Sequence, residues 1–359
     1  MSEQVDKPGG SGRDLSALEA LAATYDHHHM QRVIARTPNH IEVALATDLP
    51  VMPTAPVAHV VVVGLGGSAL PADVLNDAFV DELHTPVEIT RNYRFPRSVD
   101  ATTLVIASSF SGNTEEVLSA LRSLDASMRR VVVVTAGGEL AELARERQYP
   151  MVRIPAENEP AGFQPRCAIG YVVTYLARII AAAGLMSDPV PRLQAASRFL
   201  RGVDVKTPAW QMAQVLNGRV PVVYTDESHA LSVARVAKIK FNENAKTPAF
   251  FNAIPEMNHN EMIGFGDGVG TFAALYIDDA ESHPSIRKRF HVMQRVFEQE
   301  QLKHVSFHEW RMPGESRAER IFAALTFADW CSFSLGLLAG RDPTPVELVE
   351  GFKGVLAAD

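Results

Sequence analysis

Five short runs rich in valine, isoleucine and threonine, at residues 57–63, 87–90, 103–107, 130–135 and 151–154, most constrain how this chain can fold. Between them lie segments whose apolar residues recur at helical spacing, at 68–79, 115–124 and 139–147. Strands alternating with helices of this length build a parallel sheet, because each parallel connection must cross the face of the sheet. The runs are apolar on successive residues, which predicts strands covered on both sides. The expected fold class is α/β, a doubly wound parallel sheet in an αβα sandwich.

The plan repeats. A helix is expected at 167–185, and residues 187–192 then hold two prolines and mark a boundary. Beyond it, helical patterns at 210–216, 228–242, 284–301, 317–338 and 344–356 alternate with strand patterns at 220–225, 271–277 and 304–307. Two tandem units are expected, at 15–186 and 187–359, behind a polar, disordered leader at 1–14. The first unit opens with two helices over 15–46, split at Asp26-His27-His28-His29. Adjacent histidines seldom point the same way and no second cluster completes a tetrahedral site, so a solvated turn is expected there rather than a metal.

Charge and cysteine content narrow the partners. A net charge of −8 argues against nucleic acid or an anionic membrane, since both demand a basic face. The longest apolar stretches, 168–186 and 323–340, are interrupted by Arg178 and Asp329, which predicts buried core helices rather than membrane spans. Only Cys167 and Cys331 are present, too few for a disulfide framework. With no secretory pattern at the amino terminus, a cytoplasmic protein is expected.

Two turns carry the first functional signal. Gly64-Leu65-Gly66-Gly67-Ser68-Ala69 follows the first strand run, and Ser108-Ser109-Phe110-Ser111-Gly112-Asn113-Thr114 follows the third. Each precedes a helix, where unpaired N–H groups and the helix dipole favour an anion. The first turn approaches a dinucleotide fingerprint, but the second strand holds Glu88 in its middle and ends toward Arg91-Asn92, without the acid that binds a ribose. Ser109, Ser111 and Thr114 instead cluster hydroxyls suited to a compact phosphomonoester. Either turn alone is explained as a helix cap. Two on neighbouring strand ends predict a phosphate held between them.

The chemistry-bearing stretch is 238–261. Glu243 ends an amphipathic helix between asparagines, with Lys246 three residues on, and a carboxylate held there can move a proton between carbons. His259 lies in Asn258-His259-Asn260-Glu261, and an imidazole can exchange a proton with a sugar ring oxygen. A helix cap followed by a solvated loop is the plainer reading of the same residues. Apolar neighbours such as Phe250, Phe251 and Ile254 favour a partly buried site. Arg166, stiffened by Pro165, can neutralise an oxyanion or pair with Glu157 or Glu159.

Five motifs in order, GLGGSA at 64–69, SSFSGNTEE at 108–116, QPRCAIGY at 164–171, FNENAKTPAFFNAIPEMNHNE at 241–261 and GRDPTPVE at 340–347, resemble the bifunctional phosphoglucose/phosphomannose isomerase family of the SIS (sugar isomerase) superfamily. The resemblance runs from about Leu21 to Lys353. It implies two SIS domains, a homodimer with shared active sites, a hexose 6-phosphate substrate and no cofactor or metal. By this resemblance Gly67, Ser68, Ser109, Ser111 and Thr114 bind the phosphate and Glu243 shuttles the proton between C1 and C2. His259, from the partner subunit, opens the ring, and Arg166 steadies the enediol. Thr344 matches the threonine that leaves room for both epimers, and Lys353 or Gly351 the position of a family lysine. A non-catalytic SIS protein that binds a sugar phosphate and regulates a partner is the alternative. It needs the phosphate turns but not Arg166, Glu243 and His259.

Overall fold

The computed structural model describes residues 15–52, 57–125, 130–160, 163–266 and 268–356, so the expected leader at 1–14 lies outside the described residues. The amino-terminal segment forms three helices rather than two, α1 (Ser16–Tyr25), α2 (Met30–Ala35) and α3 (Thr37–Ala46). Asp26 makes the first break by accepting the N–H groups of Met30 (2.7 Å) and Gln31 (3.0 Å) at the start of α2. Pro38 starts the third helix, where its missing N–H is no loss.

The first sheet follows. Strands β1 (His59–Val63), β2 (Val87–Thr90), β3 (Thr103–Ser109), β4 (Val131–Thr135) and β5 (Met151–Arg153) alternate with α4 (Leu70–Ala78), α5 (Glu115–Ser123), α6 (Gly138–Arg147) and α7 (Ile169–Ala182). All pairings are parallel, in the order β2-β1-β3-β4-β5. Every residue of β3 and β4 is buried, as expected of strands packed by helices on both faces. The strand order reverses between β1 and β3, whose ends are in register at Val63 and Ala107. The two glycine- and hydroxyl-rich turns therefore leave the same edge of the sheet at its switch point, where open α/β sheets hold ligands.

Helices α8 (Val190–Gly202) and α9 (Lys206–Leu216) lead into the second sheet. It contains β6 (Val220–Asp226), β7 (Phe250–Ile254), β8 (Phe272–Asp278) and β9 (Val305–Arg311), with α10 (Leu231–Glu243) and α11 (Pro284–Gln299) between them. These strands are also parallel, in the order β7-β6-β8-β9. The chain closes with α12 (Arg317–Leu338) and α13 (Glu347–Leu356). Among the described residues α12 alone is long and apolar enough to cross a membrane, and 94% of its most apolar window is buried inside the fold. It is a core helix. Its apolar side chains join those of α1, α2, α4, α9 and α10 in one continuous core.

Two elements depart from the sequence reading. α8 begins inside the proline cluster read as a boundary, because Pro191 sits in its first turn. β7 lies within the stretch read as a cap and a loop. It is short and at the sheet edge, with Phe250 exposed and Asn252 half-buried, so its pattern is not that of a buried strand.

Candidate active site

The two turns are tied together by side chains. Ser68 is buried, and its Oγ accepts the N–H of Phe110 at 2.9 Å across the sheet edge. Ser109 Oγ lies 2.7 Å from Thr114 Oγ1 and accepts the N–H of Gly112 at 3.1 Å, while Ser111 Oγ accepts the N–H of Asn113 at 3.2 Å. Thr114 stands at the N-cap of α5 but makes no side-chain cap. Its hydroxyl is engaged by Ser109 instead. Simple helix capping thus does not account for these hydroxyls, and the first amides of α5 keep their anion-binding character.

Gly67 joins this cradle to the next part of the site. A Cβ there would stand 2.8 Å from the Pro165 carbonyl carbon and oxygen and 2.9 Å from the Arg166 nitrogen. Only glycine lets the turn lie against the 3₁₀ turn Pro165–Cys167, which presents Arg166. Lys240 fixes that turn from below. Its buried ammonium donates to the Arg166 carbonyl oxygen (2.6 Å) and pairs with Asp329 on α12.

The Arg166 side chain, itself buried, is committed on four of its five donors. Nε donates to Asn244 Oδ1 (2.6 Å), Nη1 to Glu243 Oε2 (3.1 Å), and Nη2 to the carbonyls of Pro343 and Thr344 (both 2.9 Å). Arg166 pairs with neither Glu157 nor Glu159. Glu157 meets Arg153 at 3.5 Å, whereas the buried Glu159 carboxylate receives Arg36, His40 and Tyr171. Burial opposes ionisation of Glu159, but the hydrogen bonds from His40, Arg36 and Tyr171 outweigh it and bring the carboxyl down to about 2. That cluster anchors the loop leading into Arg166.

Glu243 closes α10 with its carboxylate a third exposed, so one face is held by Arg166 and another is open. Asn244 beside it is fully buried, and its amide donates to Ser332 Oγ on α12 (3.0 Å). Close approach of α12 is possible because position 336 is glycine: a Cβ there would come within 2.7 Å of the Asn244 carbonyl oxygen. Lys246 turns back in a left-handed conformation (φ 54°), and its half-buried ammonium donates to the carbonyls of Glu243 and Pro343. Burial, then the neighbouring Arg166, push this ammonium down to about 8. Thr344 completes the wall. Its hydroxyl is buried without a hydrogen-bond partner among the described residues.

Within one chain two expected residues stand apart from this group. α10 runs back over the sheet from the end of β6, so Glu243 lies where β7 is about to start, while His259 follows the end of β7. Five strand residues separate those edges by roughly 17 Å. His259 is exposed in the 3₁₀ turn Glu256–His259. Lys353 lies on α13, no residue of which is buried, and pairs with Glu350 at 2.8 Å. Gly351 beside it faces open space. Among the described residues no three His, Cys, Asp or Glu side chains converge as metal ligands. In the histidine triplet, His28 Nδ1 lies 2.8 Å from Asp342 Oδ2, and Asp342 Oδ1 in turn accepts the Thr344 N–H at 2.9 Å.

Sequence reasoning missed Asn244, Lys240 and Gly336. The only local signal was the asparagine next to Glu243, and the other partners come from α12, about ninety residues away.

Comparison with known proteins agrees with this architecture. Residues 205–356 match the family described as the bacterial phospho-glucose isomerase C-terminal SIS domain. The bifunctional phosphoglucose/phosphomannose isomerase of Caldicellulosiruptor bescii is 31% identical over 312 residues, which is 83% of this chain and 89% of that protein. The D-glucosamine-6-phosphate 4-epimerase of Sulfolobus acidocaldarius is 34% identical over 238 residues, covering 65% of this chain and 72% of its own. Among solved structures, a hypothetical protein from Thermus thermophilus superposes with a TM-score of 0.66. It covers 96% of this chain and 94% of its own at 18% identity, a likeness of fold.

Proposed function

The chain belongs to the bifunctional phosphoglucose/phosphomannose isomerase family, and from that premise we propose that it interconverts glucose 6-phosphate or mannose 6-phosphate with fructose 6-phosphate. It is a sugar-phosphate isomerase, an intramolecular oxidoreductase. The observation that carries the reading is the Arg166–Glu243 pair, packed through Gly67 against the first phosphate turn. A binder would need the cradle alone.

The phosphate is held between Gly67-Ser68 and the hydroxyls of Ser109, Ser111 and Thr114, with amides at the switch point supplying the partial positive charge. Glu243, oriented by Arg166, takes the C2 proton of the open aldose and returns it at C1 of the cis-enediolate. The guanidinium beside it lowers the energy of the developing negative charge. Rotation about C2–C3 of that intermediate presents either face of C2, and Thr344 borders the space this needs. His259 opens the sugar ring from a second copy of the chain, since its own Glu243 lies at the far edge of the sheet. Lys353 is assigned to the same dimer-completed site. Support for a homodimer comes from α13, where Leu348 is 92% and Phe352 67% exposed on one apolar face. Cys167 and Cys331 are free and buried, which suits a reducing cytoplasm.

The likeness to the Sulfolobus epimerase favours a second reading, in which the same cradle receives an amino sugar phosphate. A coupled assay in EDTA separates the two. Fructose 6-phosphate should form from glucose 6-phosphate or mannose 6-phosphate, and activity on glucosamine 6-phosphate alone would overturn the isomerase reading. Glu243→Gln should bind substrate yet lose hydrogen exchange at C2. Exchange retained in that variant would assign the base elsewhere.

A further inference from the structure

We infer that Lys246 is a positioning residue of the isomerase, whose ammonium fastens the backbone under Glu243 to the 341–344 segment and holds the base in register with Thr344. The inference rests on the roles proposed above for Glu243 and Thr344. Its ground is a two-way staple. The Lys246 ammonium donates to the carbonyls of Glu243 and Pro343 (3.1 Å for the latter), while its own carbonyl accepts Arg341 Nη1 at 2.7 Å. At φ 54° Lys246 lies in the left-handed region that side-chain-bearing residues rarely adopt, and this turns the side chain back over the helix end it follows. Neither interaction involves an atom of the phosphate cradle, and Arg166 reaches the same Pro343 carbonyl from the other side.

The groups facing this ammonium are Arg166, which disfavours its charge, and Asp342, Glu243 and Glu347, which favour it. Burial outweighs the three carboxylates, and the group titrates at about 8. Below that pH the staple is made of charge-assisted hydrogen bonds, roughly twice as strong as neutral ones. Above it the amine is neutral and the 341–344 segment loosens. Activity therefore falls on the alkaline side as this proton is lost.

The test uses Lys246→Met and Lys246→Cys, the latter also after alkylation with 2-bromoethylamine, which rebuilds an amine of lysine length with a sulfur in the chain. Both native cysteines are buried, so the introduced thiol is the reactive one. Fructose 6-phosphate formation is followed from about pH 6 to about pH 10. The methionine variant and the unalkylated cysteine variant should lose about 100-fold in kcat with KM little changed, the penalty of a displaced reacting group. Alkylation should restore kcat and move the alkaline limb to lower pH, because the thioether makes the amine less basic. Wild-type kcat in Lys246→Met, or an alkylated enzyme with the wild-type alkaline limb, overturns the inference. A wild-type enzyme inactive on both hexose phosphates overturns the functional reading instead. Rescue is read on folded, alkylated protein, so the outcome does not depend on how well the methionine variant folds.

Discussion

Gly67→Ala should impair the enzyme without removing any candidate catalytic side chain. The added Cβ would lie 2.8 Å from the Pro165 carbonyl, where ordinary contact begins at 3.4 Å, so a gap of 3.4 − 2.8 = 0.6 Å must be opened. The obstructing atoms are backbone and cannot swing aside as a side chain would. Arg166 is held by Asn244, Glu243, Pro343 and Thr344, and Lys240 holds its carbonyl, so the strain must move the guanidinium or break one of these bonds. Overpacking of this kind costs about 1–3 kcal/mol of stability. A displacement approaching 1 Å at reacting groups costs up to about 100-fold in rate, so a loss of about 10-fold or more in kcat/KM is expected. Thermal melts and kinetics with fructose 6-phosphate measure both quantities. Wild-type kcat/KM in a folded Gly67→Ala protein would refute the idea that this close approach sets the position of Arg166.

Other consequences are as direct. Equal amounts of Glu243→Gln and His259→Ala chains, co-refolded, should recover about a quarter of wild-type activity, because half of the dimers are mixed and each mixed dimer holds one intact site. No recovery would mean that His259 serves its own chain. The Glu159 carboxyl lies below its ordinary value in the folded state, so its stabilisation is complete above about pH 4.5 and is lost as pH falls toward about 2. A difference of about 2.5 units corresponds to about 3 kcal/mol, and Glu159→Gln should flatten the fall in urea stability across this window. An unchanged acid slope would contradict it. Thr344→Val removes a buried hydroxyl without a hydrogen-bond partner among the described residues and should raise stability in urea by about 1 kcal/mol while shifting the preference between glucose and mannose phosphates. A less stable variant with an unchanged preference would argue that the hydroxyl faces neither substrate nor strain.

The parallel sheets, β7 excepted, were legible because burial on both faces forces continuous β-branched runs, and the exposed edge pattern of β7 carries no such signal. The turns were legible as strand-to-helix connections, since glycines and hydroxyls after a strand end suit the start of a helix. What escaped was long-range. Arg166 and Glu243 are 77 residues apart in sequence, and nothing local announces that the arginine will pair with Glu243 rather than meet Glu157 or Glu159. The value of Gly336 emerges only when α12 crosses the end of α10. His259 is a candidate from its polar tetrapeptide as well as by family likeness, and Lys353 by likeness alone, yet a single chain leaves both exposed to solvent.

The burial of α12 has a consequence for how the chain is made. Leu18, Met30 and Val33 of α1 and α2 share one core with the side chains of α12, which is synthesised long after them. At typical synthesis rates that partner emerges roughly 15 to 60 seconds later. Until then the amino-terminal helices carry apolar faces with nothing to cover them. Nascent chains should therefore bind holding chaperones through α1 and α2 for most of translation, and a product truncated before residue 317 should aggregate rather than fold its first sheet as a free-standing unit.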